Sequence, residues 1–120
     1  MVVEKLSEES ADRLFQALSD ATRRDIVRRV SGAPLSVSGL AALYAMSFAA
    51  VQKHVAVLER ASLVTKEKRG REQLVQANPE GLARARRLLD EYEVIWRRRA
   101  GQITEILAEE TTQQTGDESP

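Results

Sequence analysis

Ser47, Gln52, Lys53 and His54 lie within SFAAVQKHVAVLERA, residues 47–61, and their chemistry suits hydrogen bonding to a nucleic acid. A glutamine amide pairs bidentately with adenine, and a lysine ammonium reaches guanine or a phosphate, pairings that the major groove supports. A second group, Lys66, Lys68, Arg69 and Arg71, clusters around Gly70 and carries the charge that phosphate oxygens attract. No nucleophile-base pair, carboxylate constellation or glycine-rich phosphate loop accompanies them, so the pattern points to binding and away from an enzyme. His54 is the single histidine and the chain has no cysteine. Neither a metal centre nor any other cofactor is therefore expected, and the place of His54 beside Lys53 favours a backbone contact.

These side chains need a scaffold. On a helix, Phe48, Val51, Val55 and Leu58 fall on one apolar face, with Ala49, Ala50, Gln52 and Lys53 largely elsewhere. Ser47 can cap the helix, and the small Ala49 and Ala50 let its backbone approach a base pair closely. Upstream, residues 6–19 read as a helix with Ser7 as its cap and Leu14, Phe15 and Leu18 on one face. Asp20 can cap a second helix that turns Ile26, Val27 and Val30 inward, leaves Arg23, Arg24, Arg28 and Arg29 on a solvated face, and ends at Gly32 and Pro34. Ser36 opens a short third helix to Ala45, burying Val37, Leu40 and Leu43, with only Ala45 and Met46 before Ser47. Two helices so joined, the second with a polar outer face, form a helix-turn-helix pattern.

Residues 63–68 and 72–77 read as two strands around Arg69-Gly70-Arg71, a basic hairpin of the kind that serves as a wing. Asn78 then caps, and Pro79 begins, a long helix to about Glu110. Its Leu88, Leu89, Tyr92, Ile95, Trp96 and Ile103 recur at helical spacing. About 30 residues of helix extend roughly 45 Å, more than so small a domain can cover, so the stripe calls for a second subunit. The fold class is mainly α with a small β-hairpin wing, a homodimeric winged helix-turn-helix. One domain over residues 1–110 and a disordered acidic tail over 111–120 complete the reading.

The 18 basic and 18 acidic groups of the 120 residues cancel, yet residues 20–72 hold ten basic and five acidic groups. Charge localised on one module is what phosphate contact needs. No apolar run could span a bilayer and the amino terminus lacks the parts of a signal peptide, so a cytoplasmic protein without a membrane partner is expected.

Residues 14–24, 46–58, 59–64 and 70–71, LFQALSDATRR, MSFAAVQKHVAVL, ERASLV and GR, resemble successive signatures of the ArsR/SmtB bacterial regulators. The likeness covers roughly residues 10–110. It implies a homodimeric winged helix in which the first and last helices form the interface, here Leu14, Phe15, Leu88, Leu89, Tyr92, Ile95, Trp96 and Ile103. It also implies a repressor of a promoter, often its own, that binds a palindromic double-stranded operator and releases it when an inducer binds. Ser47, Ala49, Ala50, Gln52, Lys53 and His54 fall on the recognition helix, and Lys68, Arg69 and Arg71 on the wing. An activator, or a winged-helix scaffold for a protein partner, fits the same residues. Many members sense metals through a cysteine pair on the third helix, where this chain has LAALYA, so metal sensing at the family's sites is not expected, and an organic inducer is an alternative. Ser62 stands where the family usually has the glycine that ends the recognition helix.

Overall fold

The computed structural model describes residues 2–117, with side chains over 8–111. Its elements are α1 (Val2–Leu18), α2 (Ala21–Gly32), β1 (Leu35–Ser36), α3 (Val37–Ala41), α4 (Phe48–Arg60), β2 (Val64–Arg69), β3 (Glu72–Ala77) and α5 (Pro79–Asp117). They divide into two compact units, up to Arg86 and from Arg87 onward.

Local chemistry sets the boundaries in the first unit. Asp20, Ser36 and Ser47 each stand before a helix with extended backbone, and their side chains accept from the amides of Arg23, Gly39 and Ala50. These bonds satisfy donors that a helix start leaves open. Helix α1 begins before the expected Ser7 cap, which lies inside it. Helix α3 is shorter than expected and stops at Ala41, so residues 42–47 form the turn to α4. The reason lies in Tyr44, whose hydroxyl donates to Asp25 Oδ2 at 2.5 Å and draws the segment toward α2. Leu43, expected in the core, is consequently 49% exposed.

The hairpin is joined by a strand that the sequence reading missed. The antiparallel sheet has the order β1-β3-β2, with Leu35 opposite Val75 and Lys66 opposite Val75 from the other side. A two-residue strand directly after Pro34 shows no alternation to detect. Arg69 pairs with Glu72, leaving Gly70 and Arg71 as a two-residue loop; positive φ at Gly70, and not at Arg71, makes it a type II′ turn. Val64 and Val75 anchor the sheet in a core with Ile26, Leu40, Val51, Val55, Leu58 and Leu63, all 0–1% exposed.

Leu14, expected at a dimer interface, is 6% exposed and packs in this core, since α1 lies against α2 and α4. Phe48, expected on the docking face of α4, is 47% exposed instead. It sits at the first helical position, beyond the edge of the surface that covers Val51.

The start of α5 is tied back to the end of α4. Ser62 has a left-handed backbone, φ 61°, in the place a glycine occupies without strain. Its carbonyl accepts from Asn78 Nδ2 at 2.9 Å, and the Leu63 carbonyl accepts from the Asn78 amide at 3.0 Å. The Asn78 side chain, expected to cap α5, is therefore spent on Ser62, while its carbonyl accepts the first helical bond from Leu82. A Cβ at Gly81 would lie 1.6 Å from the Ser62 carbonyl oxygen, so only glycine fits there.

In the second unit α5 continues to Asp117, past the expected end near Glu110, and residues 118–120 of the expected tail lie outside the described residues. No proline follows Pro79 until Pro120, and Thr104 and Thr111 fold their hydroxyls onto the carbonyls of Ala100 and Leu107 at 2.9 Å. Among the described residues no helix is long and apolar enough to cross a membrane.

Candidate nucleic-acid interface

Helix α4 buries Val51, Val55 and Leu58 and exposes Ala49, Gln52 and Lys53. The outward residues do not face empty solvent. With Ala56 and Val37 they line one wall of a groove of about 410 Å³ whose other wall carries Lys66 and Gln73 of the hairpin.

Strand register explains why those two belong there. Val64, Lys66 and Lys68 alternate onto one sheet face and oppose Ala77, Val75 and Gln73. At the base of the hairpin this face is core, at Val64 and Val75. Toward the tip the same face leaves the core and becomes polar. Lys66, half-buried, also reaches Glu59 of α4 at 3.5 Å, which ties the wing to the helix. Gln73 did not stand out as a contact residue in the sequence, and Lys66 did so only as one of the wing's basic residues; their place beside α4 follows from strand pairing and not from residue type.

The other expected contact residues are dispersed. Lys68 shares the Lys66 face, whereas Arg69 lies on the opposite one with Glu67 at 3.7 Å, and Arg71 occupies the turn. Ser47 is exposed but committed to its cap, and Ala50 is half-buried with its amide on Ser47 Oγ at 3.1 Å.

His54 is half-buried with Nδ1 3.3 Å from Arg23 Nη1. A guanidinium can only donate, so Nδ1 accepts and the neutral ring carries its proton on Nε2. Its hydrogen-bond partner is thus within the protein, on α2.

The four arginines of α2 do more than solvate a face. Arg23 donates from Nε to the Ala17 carbonyl at 2.8 Å and from Nη2 to Gln16 at 2.9 Å, while Arg24 donates to Leu18 at 2.6 Å. They close the open carbonyls of α1 with cations, where the helix dipole favours them. The backbone amide of Arg23, aided by nearby positive charge, holds the Asp20 carboxyl below its ordinary range. Arg28 and Arg29 both pair with Asp25, Arg29 from Nε at 2.7 Å. Donation from Tyr44, then from Arg29 and Arg28, holds the Asp25 carboxyl well below the carboxylate range. Desolvation and that same bond push the Tyr44 phenol up to about 12, and the Arg29 guanidinium lies 5.8 Å from its ring centroid. The turn before α4 is therefore held by α2 through a charged cluster.

Among the described residues no three of His, Cys, Asp and Glu come together to hold a metal ion. What the first unit does offer is a helix with a free outer wall, a groove that carries Gln52, Lys53, Lys66 and Gln73, and a basic hairpin beside it.

That combination, with the short turn before α4 and the paired wing, defines a winged helix-turn-helix regulator. A helix-turn-helix domain model matches residues 18–67. The HTH-type transcriptional regulator Rv2034 of Mycobacterium tuberculosis is 43% identical over 83 residues, which cover 69% of this chain and 78% of that protein. An ArsR-like transcriptional regulator from Rhodococcus sp. RHA1 superposes with a TM-score of 0.71 at 33% identity, over 88% of this chain and 94% of that one. The homodimeric winged helix-turn-helix domain Mb0332 of Mycobacterium bovis shares the fold, with a TM-score of 0.59 at 20% identity over 71% and 79% of the two chains. The chain belongs to the ArsR family of transcriptional regulators.

Proposed function

We propose that this regulator is a homodimeric repressor that lays α4 of each subunit into the major groove of a palindromic operator, its own promoter among the candidates. The observation that carries this reading is the groove in which Gln52 and Lys53 of α4 share one concavity with Lys66 and Gln73 of the hairpin. Gln52 and Lys53 read base edges, and Lys68 and Arg71 hold phosphates beside them. A dimer sets its two recognition helices about 34 to 36 Å apart, so the half-sites repeat one turn apart.

The second subunit packs on α5, where Leu89, Tyr92, Ile95, Trp96 and Ile103 are 50–68% exposed and Leu88 is half-buried; Phe15 of α1 is 40% exposed. The Mycobacterium bovis domain, homodimeric with the same fold, supports a dimer. With no cysteine and one histidine in the chain, a metal at the family's cysteine site is not the expected releasing signal, and a small organic inducer is the alternative.

Fluorescence anisotropy on the DNA upstream of the regulator's own gene, against scrambled DNA at low and physiological salt, tests the proposal. A specificity gap that survives physiological salt is the expected result. Lys53→Ala should narrow it by about 1 to 3 kcal/mol, whereas Arg71→Ala should weaken both DNAs alike and flatten the salt dependence. Weak binding that vanishes with salt on both DNAs would reject this promoter as the operator. Salt-insensitive capture of a protein, with no DNA bound, would make the winged helix a scaffold.

A further inference from the structure

Phe48 is the one large apolar side chain of α4 that its own subunit leaves half uncovered, at 47% exposure. Apolar surface kept in water costs roughly 25 cal/mol for each Å² that a partner could have covered. Its position says what that partner is. Ser47 caps α4, so Phe48 is the first residue of the helix, and the amino-terminal turn of a recognition helix is the part that meets base edges. Gln52 lies one turn further along and is exposed, and the neighbouring Ala49 adds no bulk that would hold a base pair away. From Ile26 to Leu58 the sequence carries no acidic residue, and Asp25, whose carboxylate reaches the turn before α4, is spent on Tyr44, Arg28 and Arg29.

Only one apolar group projects into the major groove, the C5 methyl of thymine, and phenylalanine is among the side chains that pack on it. We propose that Phe48 is a specificity-determining residue that reads a thymine methyl next to the base pair read by Gln52. The assignment rests on α4 being the DNA-reading helix. Together the two residues would favour an A·T-containing step, the amide on adenine and the ring on the methyl.

The test leaves the protein intact in its main arm. The full chain selects its sites from a random duplex pool, and each thymine of the selected site is then replaced singly by deoxyuridine, which removes only the methyl. Binding of wild type, Phe48→Ala and Phe48→Leu is measured by anisotropy on every duplex, with circular dichroism as the folding control. One thymine in each half-site should matter, its replacement weakening wild type by about fourfold, the worth of one buried carbon. Phe48→Ala should bind the thymine and uracil duplexes equally, and Phe48→Leu should keep part of the difference. Uracil tolerated by wild type at every position overturns the proposal. A loss equal in wild type and Phe48→Ala overturns it as well, by assigning the methyl to another residue. Failure to select any sequence refutes the DNA-reading role of α4 itself, a result separate from both.

Discussion

Helix α4 and the part of α5 beyond Arg87 share one sequence pattern, apolar residues at helical spacing, and meet opposite fates. In α4, Val51, Val55 and Leu58 are 0% exposed; in α5, Trp96 is 68% exposed and Ile103, Ile106 and Leu107 are 55–57%. Periodicity states that a face wants covering and is silent on whether the same chain supplies the cover. The first unit closes its own core, satisfies its helix starts from within and leaves open a groove and three large apolar side chains, Phe15, Leu43 and Phe48. The second keeps its apolar stripe for something else.

The sharpest way to test the completeness of the first unit is Gly81→Ala, whose methyl would collide with the Ser62 backbone. It should cost about 3 kcal/mol or more in urea denaturation. Leu58→Ala should cost about 3 kcal/mol whatever the protein concentration, because its core lies within one chain. Trp96→Ala should leave the unfolding of dilute monomer nearly unchanged and instead shift the concentration dependence seen by sedimentation; a large loss at every concentration would erase the contrast between the units. Ser62→Gly should stabilise by up to about 1 kcal/mol, by releasing the strain at φ 61°. The smallest effect concerns pH. Asp25 has a lowered folded pKa, so its contribution is present above its ordinary value of 3.8 and is lost as pH falls toward the folded value. Asp25→Asn should abolish that part of the acid-side slope in denaturation midpoints.

Helix positions and caps were readable because Asp20, Ser36 and Ser47 act through neighbouring amides, a local chemistry written in adjacent letters. So was the hairpin, through Gly70. Contacts between distant residues were not. Tyr44 bonding Asp25 shortens α3 and exposes Leu43, and Asn78 bonding Ser62 takes a cap away from α5. In the groove, Gln52 and Lys53 were legible from the face they share, whereas Lys66 and Gln73 joined them only through register across the hairpin. Phe48 was misplaced because a wheel treats the first turn of a helix like its middle, although the surface beneath ends there.

The knot of Ser62, Asn78 and Gly81 has a mechanical meaning. Between the last turn of α4 and the first of α5 there is no slack: one carbonyl is gripped by an amide, a neighbouring carbonyl by a backbone N–H, and a glycine is pressed against the grip. The opening turn of α5 and the carboxyl end of α4 are thus joined by bonds and close packing in place of a slack linker, so a shift of one should carry the other with it.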